Sequence, residues 1–236
     1  FWLHHIQAGA MLEHMWFLAY LWIYVFAWSV LQPKMQRRWP NLSASLATRL
    51  QGKGLFILPI MFLTVLRLCL YPVFGVTLVI ATDFYAHTLY FSMFMAGSLL
   101  VNEKGFWQEI DRQRWISLAV AALSLLLLTG FYTLNFWQDM PEIVPTAINI
   151  TWPVFQWCAM ITLLAFAGRI ASRPNRVVTY LNKSTMTYYI AHQTVIVIVA
   201  YYVAQAGLLD FRSFIPIVLA TAIICATIAE AKTFLT

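Results

Sequence analysis

Seven stretches of this chain, at 15–32, 54–73, 83–101, 115–134, 147–168, 185–205 and 213–232, are built predominantly from apolar side chains. Each approaches the roughly 20 residues that a helix needs to cross the hydrocarbon of a bilayer. In hydrocarbon every backbone N–H and C=O must find its partner inside the protein, so a run of this length is predicted to be a helix. The composition agrees, with 61% hydrophobic and 10% charged residues and a mean hydropathy of +0.73, where a soluble domain carries about a quarter charged residues. The predicted fold is all-α, a polytopic transmembrane helical bundle whose first partner is the lipid bilayer. Short polar loops separate the runs, with Pro33, Pro40, Pro141 and Pro174 read as helix stops and glycines at Gly52 and Gly54. The stretch 71–82, "YPVFGVTLVIAT", is apolar but broken by Pro72 and Gly75, and reads as an interfacial or re-entrant piece. No internal repeat or low-complexity tract is present, and no pair of matching broken helices suggests an inverted repeat.

The charge pattern assigns an orientation. A net charge of +6 could suit nucleic acid, but the basic residues sit between apolar runs rather than on one face, which excludes that reading. Thirteen of the fifteen Lys and Arg residues fall in alternate loops and the tail: Lys34, Arg37, Arg38, Arg49 and Lys53, then Lys104, Arg112 and Arg114, then Arg169, Arg173, Arg176 and Lys183, then Lys232. Positive loops stay cytoplasmic. That predicts an N-terminal end outside and a C-terminal end in the cytoplasm. The chain opens on Phe1 without the charged and small-residue features of a signal peptide, so we expect a piece of something longer.

Cys69, Cys158 and Cys225 lie apart inside apolar runs and read as packing residues, with neither disulfide nor metal-ligand spacing. Ionisable groups inside apolar spans cost a few kcal/mol each, about 2.5 to 3.5 for Arg or Asp at a helix centre, and so require a reason. Asp83 and His87, four apart in "DFYAH", share one helix face. Either the carboxylate orients the imidazole as a general base, or both face water at a helix start. Arg67, at a similar depth, would neutralise Asp83 or hold an anionic or carbonyl oxygen. His14, at the head of an aromatic series running through Trp16, Phe17, Tyr20, Trp22 and Tyr24, is a headgroup contact or a catalyst. His192, beside Gln193 in "TMTYYIAHQTVIVIV", is either a core histidine bonded to a neighbouring helix or part of a substrate or proton path. Glu230 would be solvated at the end of the last run.

Three segments carry a family resemblance. "LEHMWFLAYLWIY" (12–24) resembles the His-x-Trp-Phe-Leu signature of the acyltransferase 3 superfamily of integral membrane O-acyltransferases. "FYAHTLYFSMFMAGSLL" (84–100) is similar to its aromatic helix, and "VTYLNKSTMTYYIAHQTVIVIVAYYV" (178–203) to its Tyr-Tyr-Ile-x-His helix. The order and spacing agree over essentially the whole chain, 1–236, read as one domain, with the glucan-biosynthesis protein C-like members most alike.

The resemblance implies about ten transmembrane helices of ~20 residues each, of which the seven runs here would be the last. It implies a bacterial inner-membrane location, an acyl-CoA co-substrate approached from the cytoplasm, no bound cofactor or metal, and a glycan hydroxyl accepting an acetyl or succinyl group outside. The opening part of the family, where its catalytic histidine is expected, would then precede this chain. His14, Arg67, Asp83 and His87 are expected to line the outer, acceptor-facing half. Tyr188, His192 and Gln193 would line the inner, donor-facing half, His192 bonding within a buried polar cavity along the acyl path. Arg169, Arg173 and Arg176 are the basic candidates for the CoA phosphates, although the positive-inside rule already accounts for them. The rival reading is a secondary transporter or glycan flippase that moves its substrate unmodified.

Overall fold

The computed structural model describes residues 16–76, 80–137, 143–171, 175–208 and 210–235. Among them there is no β-strand. The chain runs through α1 (Trp16–Arg38), α2 (Leu42–Arg49), α3 (Gly54–Cys69), α4 (Tyr71–Phe74), α5 (Phe84–Leu100), α6 (Lys104–Trp137), α7 (Ile143–Ala171), α8 (Arg176–Gln205), a 3-10 turn (Phe211–Ser213) and α9 (Phe214–Leu235).

Six helical stretches have the length and composition to cross a membrane: α1, α3 continued through α4, α6, α7, α8 and α9. The helix expected at 83–101 is α5, with 17 residues, about 26 Å at 1.5 Å per residue, the short end of the range for a spanning helix. The other helices outrun their apolar cores, α6 beginning at Lys104 rather than near 115. Pro33 also departs from expectation, lying inside α1, which continues to Arg38. Pro141 and Pro174 lie outside the described residues. In the broken segment, α4 is a single turn that ends at Gly75, whose φ of 61° is open to glycine without strain.

Large apolar side chains point outward along these helices, Trp22 at 73% and Leu126 at 69% exposure among them, as expected where the solvent is lipid. Threonine hydroxyls turn back onto carbonyls one turn earlier, as Thr129 does onto Leu125 at 2.8 Å and Thr162 onto Cys158 at 2.8 Å. That satisfies a polar group without a partner helix.

The described residues fall into two compact units, Trp16–Ile170 and the residues from Ala171 on. In the first, α3 buries one face, Leu55, Pro59, Leu63 and Arg67, at the four-residue spacing of a helical stripe. Pro59 has no N–H to give the carbonyl of Leu55 one turn back. The Trp157 Nε1–H of α7 takes that place, donating to Leu55 O at 2.7 Å in full burial. Further along, Arg67 meets Asn149 of α7, so α3 and α7 run antiparallel. Helices α1 and α5 run parallel, because Tyr20 meets Asp83 and Tyr24 meets His87 at the same offset of 63 residues.

The basic end of this unit is tied by carboxylates. Glu109, buried, accepts from the Gly52 N–H at 3.1 Å, Arg112 at 2.8 Å and Gln113 at 2.9 Å. Asp111 pairs with Arg114 and, through both oxygens, with Arg169. Lys34, Arg37, Arg38, Arg49, Lys53, Lys104 and these arginines thus gather where α1, α5 and α7 end and α3 and α6 begin.

In the second unit α8 and α9 pack as a hairpin. Asn175 caps α8, its side chain accepting from Val177 N at 2.8 Å. The connection turns at Gly207 (φ 67°) and closes with a capping box between Asp210 and Ser213.

Candidate functional site

The polar residues opposite the basic end are assembled by two in-register pairs. Spacing by four puts Tyr20 and Tyr24 on one face of α1, and the same spacing puts Asp83 and His87 on one face of α5. Tyr20 donates its hydroxyl to Asp83 Oδ2 at 3.0 Å, and Asp83 is fully buried at the N-terminus of α5. The Tyr24 hydroxyl lies 3.0 Å from His87 Nδ1, and His87 Nε2 lies 2.6 Å from the carbonyl of Ile80. A carbonyl only accepts, so Nε2 carries the proton. In the neutral ring Nδ1 then accepts from Tyr24. The ring of Tyr20 stacks on that of His87 at 4.7 Å between centroids.

This corrects the expected carboxylate–imidazole bond. Asp83 and His87 do share a face, but both nitrogens of His87 are engaged by Tyr24 and Ile80. Arg67 does not pair with Asp83 either. Its Nε donates to Asn149 Oδ1 at 3.0 Å, and its guanidinium lies 4.3 Å from the Tyr71 ring centre and 5.4 Å from that of Trp152. Tyr71 in turn meets Tyr85 of α5 at 5.3 Å, which places Arg67 at the same end of the unit as Asp83.

Tyr20 and Tyr24 also line a pocket of about 310 Å³, together with Trp16, Phe17, Leu21, Tyr90, Met93 and Phe94. It sits at the small end of the range for ligand pockets, roughly 300 to 1,000 Å³. Its walls are aromatic and aliphatic, suited to a short apolar group.

His14 and Arg173 lie outside the described residues. Arg169, the first of the three basic candidates, is committed to Asp111, while Arg176 is exposed in the first turn of α8. In the second unit the Tyr188 hydroxyl lies 3.4 Å from that of Tyr180, and Gln193 is exposed. His192 is exposed as well, so its expected place in a buried polar cavity is corrected. Its Nδ1 turns back onto the carbonyls of Tyr188 and Tyr189 at 3.1 and 2.7 Å in its own helix. Among the described residues no cluster of three or more His, Cys, Asp or Glu side chains could hold a metal ion.

Sequence reasoning missed Tyr20, Tyr24 and Asn149. The tyrosines read as part of an interfacial aromatic belt, although their spacing of four, repeated by Asp83 and His87, was a usable signal. Asn149 gave no comparable signal.

A family model described as an acyltransferase domain matches residues 1–230 of the chain. No curated protein and no solved structure matches it.

Proposed function

Because this chain belongs to the acyltransferase 3 family, whose members are membrane O-acyltransferases, we propose that it moves an acetyl or succinyl group from acyl-CoA to a hydroxyl of an extracytoplasmic glycan. The observation that carries this reading is the apolar pocket lined by Tyr20 and Tyr24, which also make a buried Tyr–Asp and a partly buried Tyr–His bond. O-Acylation needs a dry pocket for the acyl group, a path for the hydroxyl proton and a donor for the oxyanion that develops on the thioester carbonyl.

The aromatic cavity fits the first need. Tyr24 and His87 fit the second: His87 Nδ1 draws on the Tyr24 proton, so the phenol oxygen can take one from an acceptor hydroxyl while passing its own to the ring. The imidazolium so formed would keep Nε2–H on Ile80 O and would lie one helical turn from the Asp83 carboxylate. The basic end of the first unit supports a cytoplasmic face there, with the Tyr–Asp and Tyr–His pairs toward the acceptor side of a bacterial inner membrane. In the second unit, Arg173 and Arg176, with Tyr188, His192 and Gln193, remain the candidates on the donor side.

The test is transfer itself. Proteoliposomes holding the protein, supplied with radiolabelled acetyl-CoA or succinyl-CoA and a glycan acceptor, should yield labelled glycan. Substituting Tyr24→Phe should lower the rate with little change in donor KM. Movement of unmodified glycan without any label transfer would instead favour a transporter and overturn the proposal.

A further inference from the structure

Arg67 is the one cation of the first unit, among the described residues, that lies away from the basic end, and it is only 9% exposed. It sits seven residues from Phe74, the end of its span, about 10 Å along the helix. A buried charge ordinarily finds an opposite charge. Here no ion pair forms at Arg67 among the described residues.

The surroundings instead fix its plane. Asn149 Oδ1 accepts from Nε, while the rings of Tyr71 and Trp152 flank the guanidinium. Only one of the five guanidinium donors is used by that bond. Among the described residues neither terminal nitrogen makes a hydrogen bond, and neither is among the buried polar atoms that lack a partner. What remains is a pre-oriented fork of N–H donors with a full positive charge in a weakly polar setting, the geometry that takes a carboxylate or phosphate through two parallel hydrogen bonds.

We propose that Arg67, held by Asn149, Tyr71 and Trp152, is the receptor for an oxyanion, a carboxylate or phosphate, carried by a substrate of this protein. Two sources would present that chemistry: the distal carboxylate of a dicarboxylic acyl group, or an anionic substituent on the acceptor. Naming these sources rests on the acyl-transfer reading; the binding of an oxyanion at Arg67 does not.

Two arms test it. In the first, the thermal unfolding of purified protein in zwitterionic detergent is followed with succinate, inorganic phosphate or the uncharged succinamide. Succinate or phosphate should raise the midpoint of the wild type and succinamide should not. Arg67→Gln should lose the response, while Arg67→Lys, which keeps the charge without the fork, should bind about tenfold more weakly. An equal response in wild type and both variants, or none in the wild type, overturns the proposal. If Arg67→Gln does not fold, the Arg67→Lys comparison decides it.

In the second arm, transfer from succinyl-CoA is compared with transfer from the uncharged-ended butyryl-CoA, and anionic acceptors with neutral ones. The ratio of kcat/KM for the substrate bearing the oxyanion to that for its neutral counterpart should fall about ten- to a hundredfold in Arg67→Gln. Selectivity unaltered by Arg67→Gln overturns the proposal and leaves acyl transfer standing. No transfer from any donor by the wild type, with the binding response intact, overturns acyl transfer and leaves the receptor.

Discussion

The bond from Trp157 to the carbonyl of Leu55 allows a quantitative check of how this bundle tolerates a proline. Replacing Trp157 by Phe keeps a ring in the contact and deletes the donor. Leu55 is fully buried and Trp157 nearly so, so the carbonyl that Pro59 cannot serve would be left bare in a dry environment. That costs about 1–3 kcal/mol for the unsatisfied acceptor, with a smaller loss from reduced ring volume. In a Pro59→Ala background residue 59 regains an N–H one turn from Leu55, and the same Trp157→Phe change should cost about 1–2 kcal/mol less. A double-mutant cycle measured by reversible unfolding in mixed micelles reads this coupling directly. Additivity within about 0.5 kcal/mol would mean that the indole is not the proline's substitute donor, and the account of α3 would fail.

Other changes follow from the same contacts. Tyr20→Phe keeps the stack on His87 but removes a donor from the buried Asp83, and should destabilise by about 1.5–3 kcal/mol; in the Asp83→Asn background, thermal melts should show most of that cost gone. Glu109→Ala strips an acceptor from the Gly52 N–H, Arg112 and Gln113 at once and should cost about 1–3 kcal/mol, with faster amide exchange at Gly52. By contrast Asp111→Ala breaks an ion pair whose members are 41% and 53% exposed, so the loss should stay below about 1 kcal/mol and vanish in high salt. Gly54→Ala would set a Cβ 1.9 Å from the backbone oxygen of Arg49, which no rotamer relieves, and should sharply reduce the yield of folded protein.

Much of the fold was legible because the bilayer imposes a one-dimensional rule: length and apolarity give spans, and Pro72 with Gly75 gave the break after α3. The rule reaches its lower limit at α5, where Asp83 ends the helix on one side and the turn before Lys104 on the other, leaving 17 residues. It fails for Pro33. A proline stops a helix only when its neighbours cannot make up the missing bond, and sequence does not show those neighbours. The pairing of helices was not legible at all, since every lipid-facing side of a span looks like every other. The parallel register of α1 and α5 is visible only when two spacings of four are laid against each other.

The same reasoning explains why Asp83 and His87, though four apart on one helix, are not partners of each other. A spacing of four makes two side chains neighbours on one helix, but a hydrogen bond along that helix competes with donors from the helix opposite. Here α1 presents two phenols in register, so each member of the pair is taken across the interface rather than along it. Two parallel bonds cross-link α1 to α5 at one level, which a single carboxylate–imidazole pair would not do. They also fix the imidazole tautomer through Ile80, a residue of the chain leading into α5. Polar groups in an apolar bundle are therefore most informative as matched sets between helices: Arg67 with Asn149, Tyr20 with Asp83 and Tyr24 with His87 each hold two elements together at the end of the unit opposite its basic face.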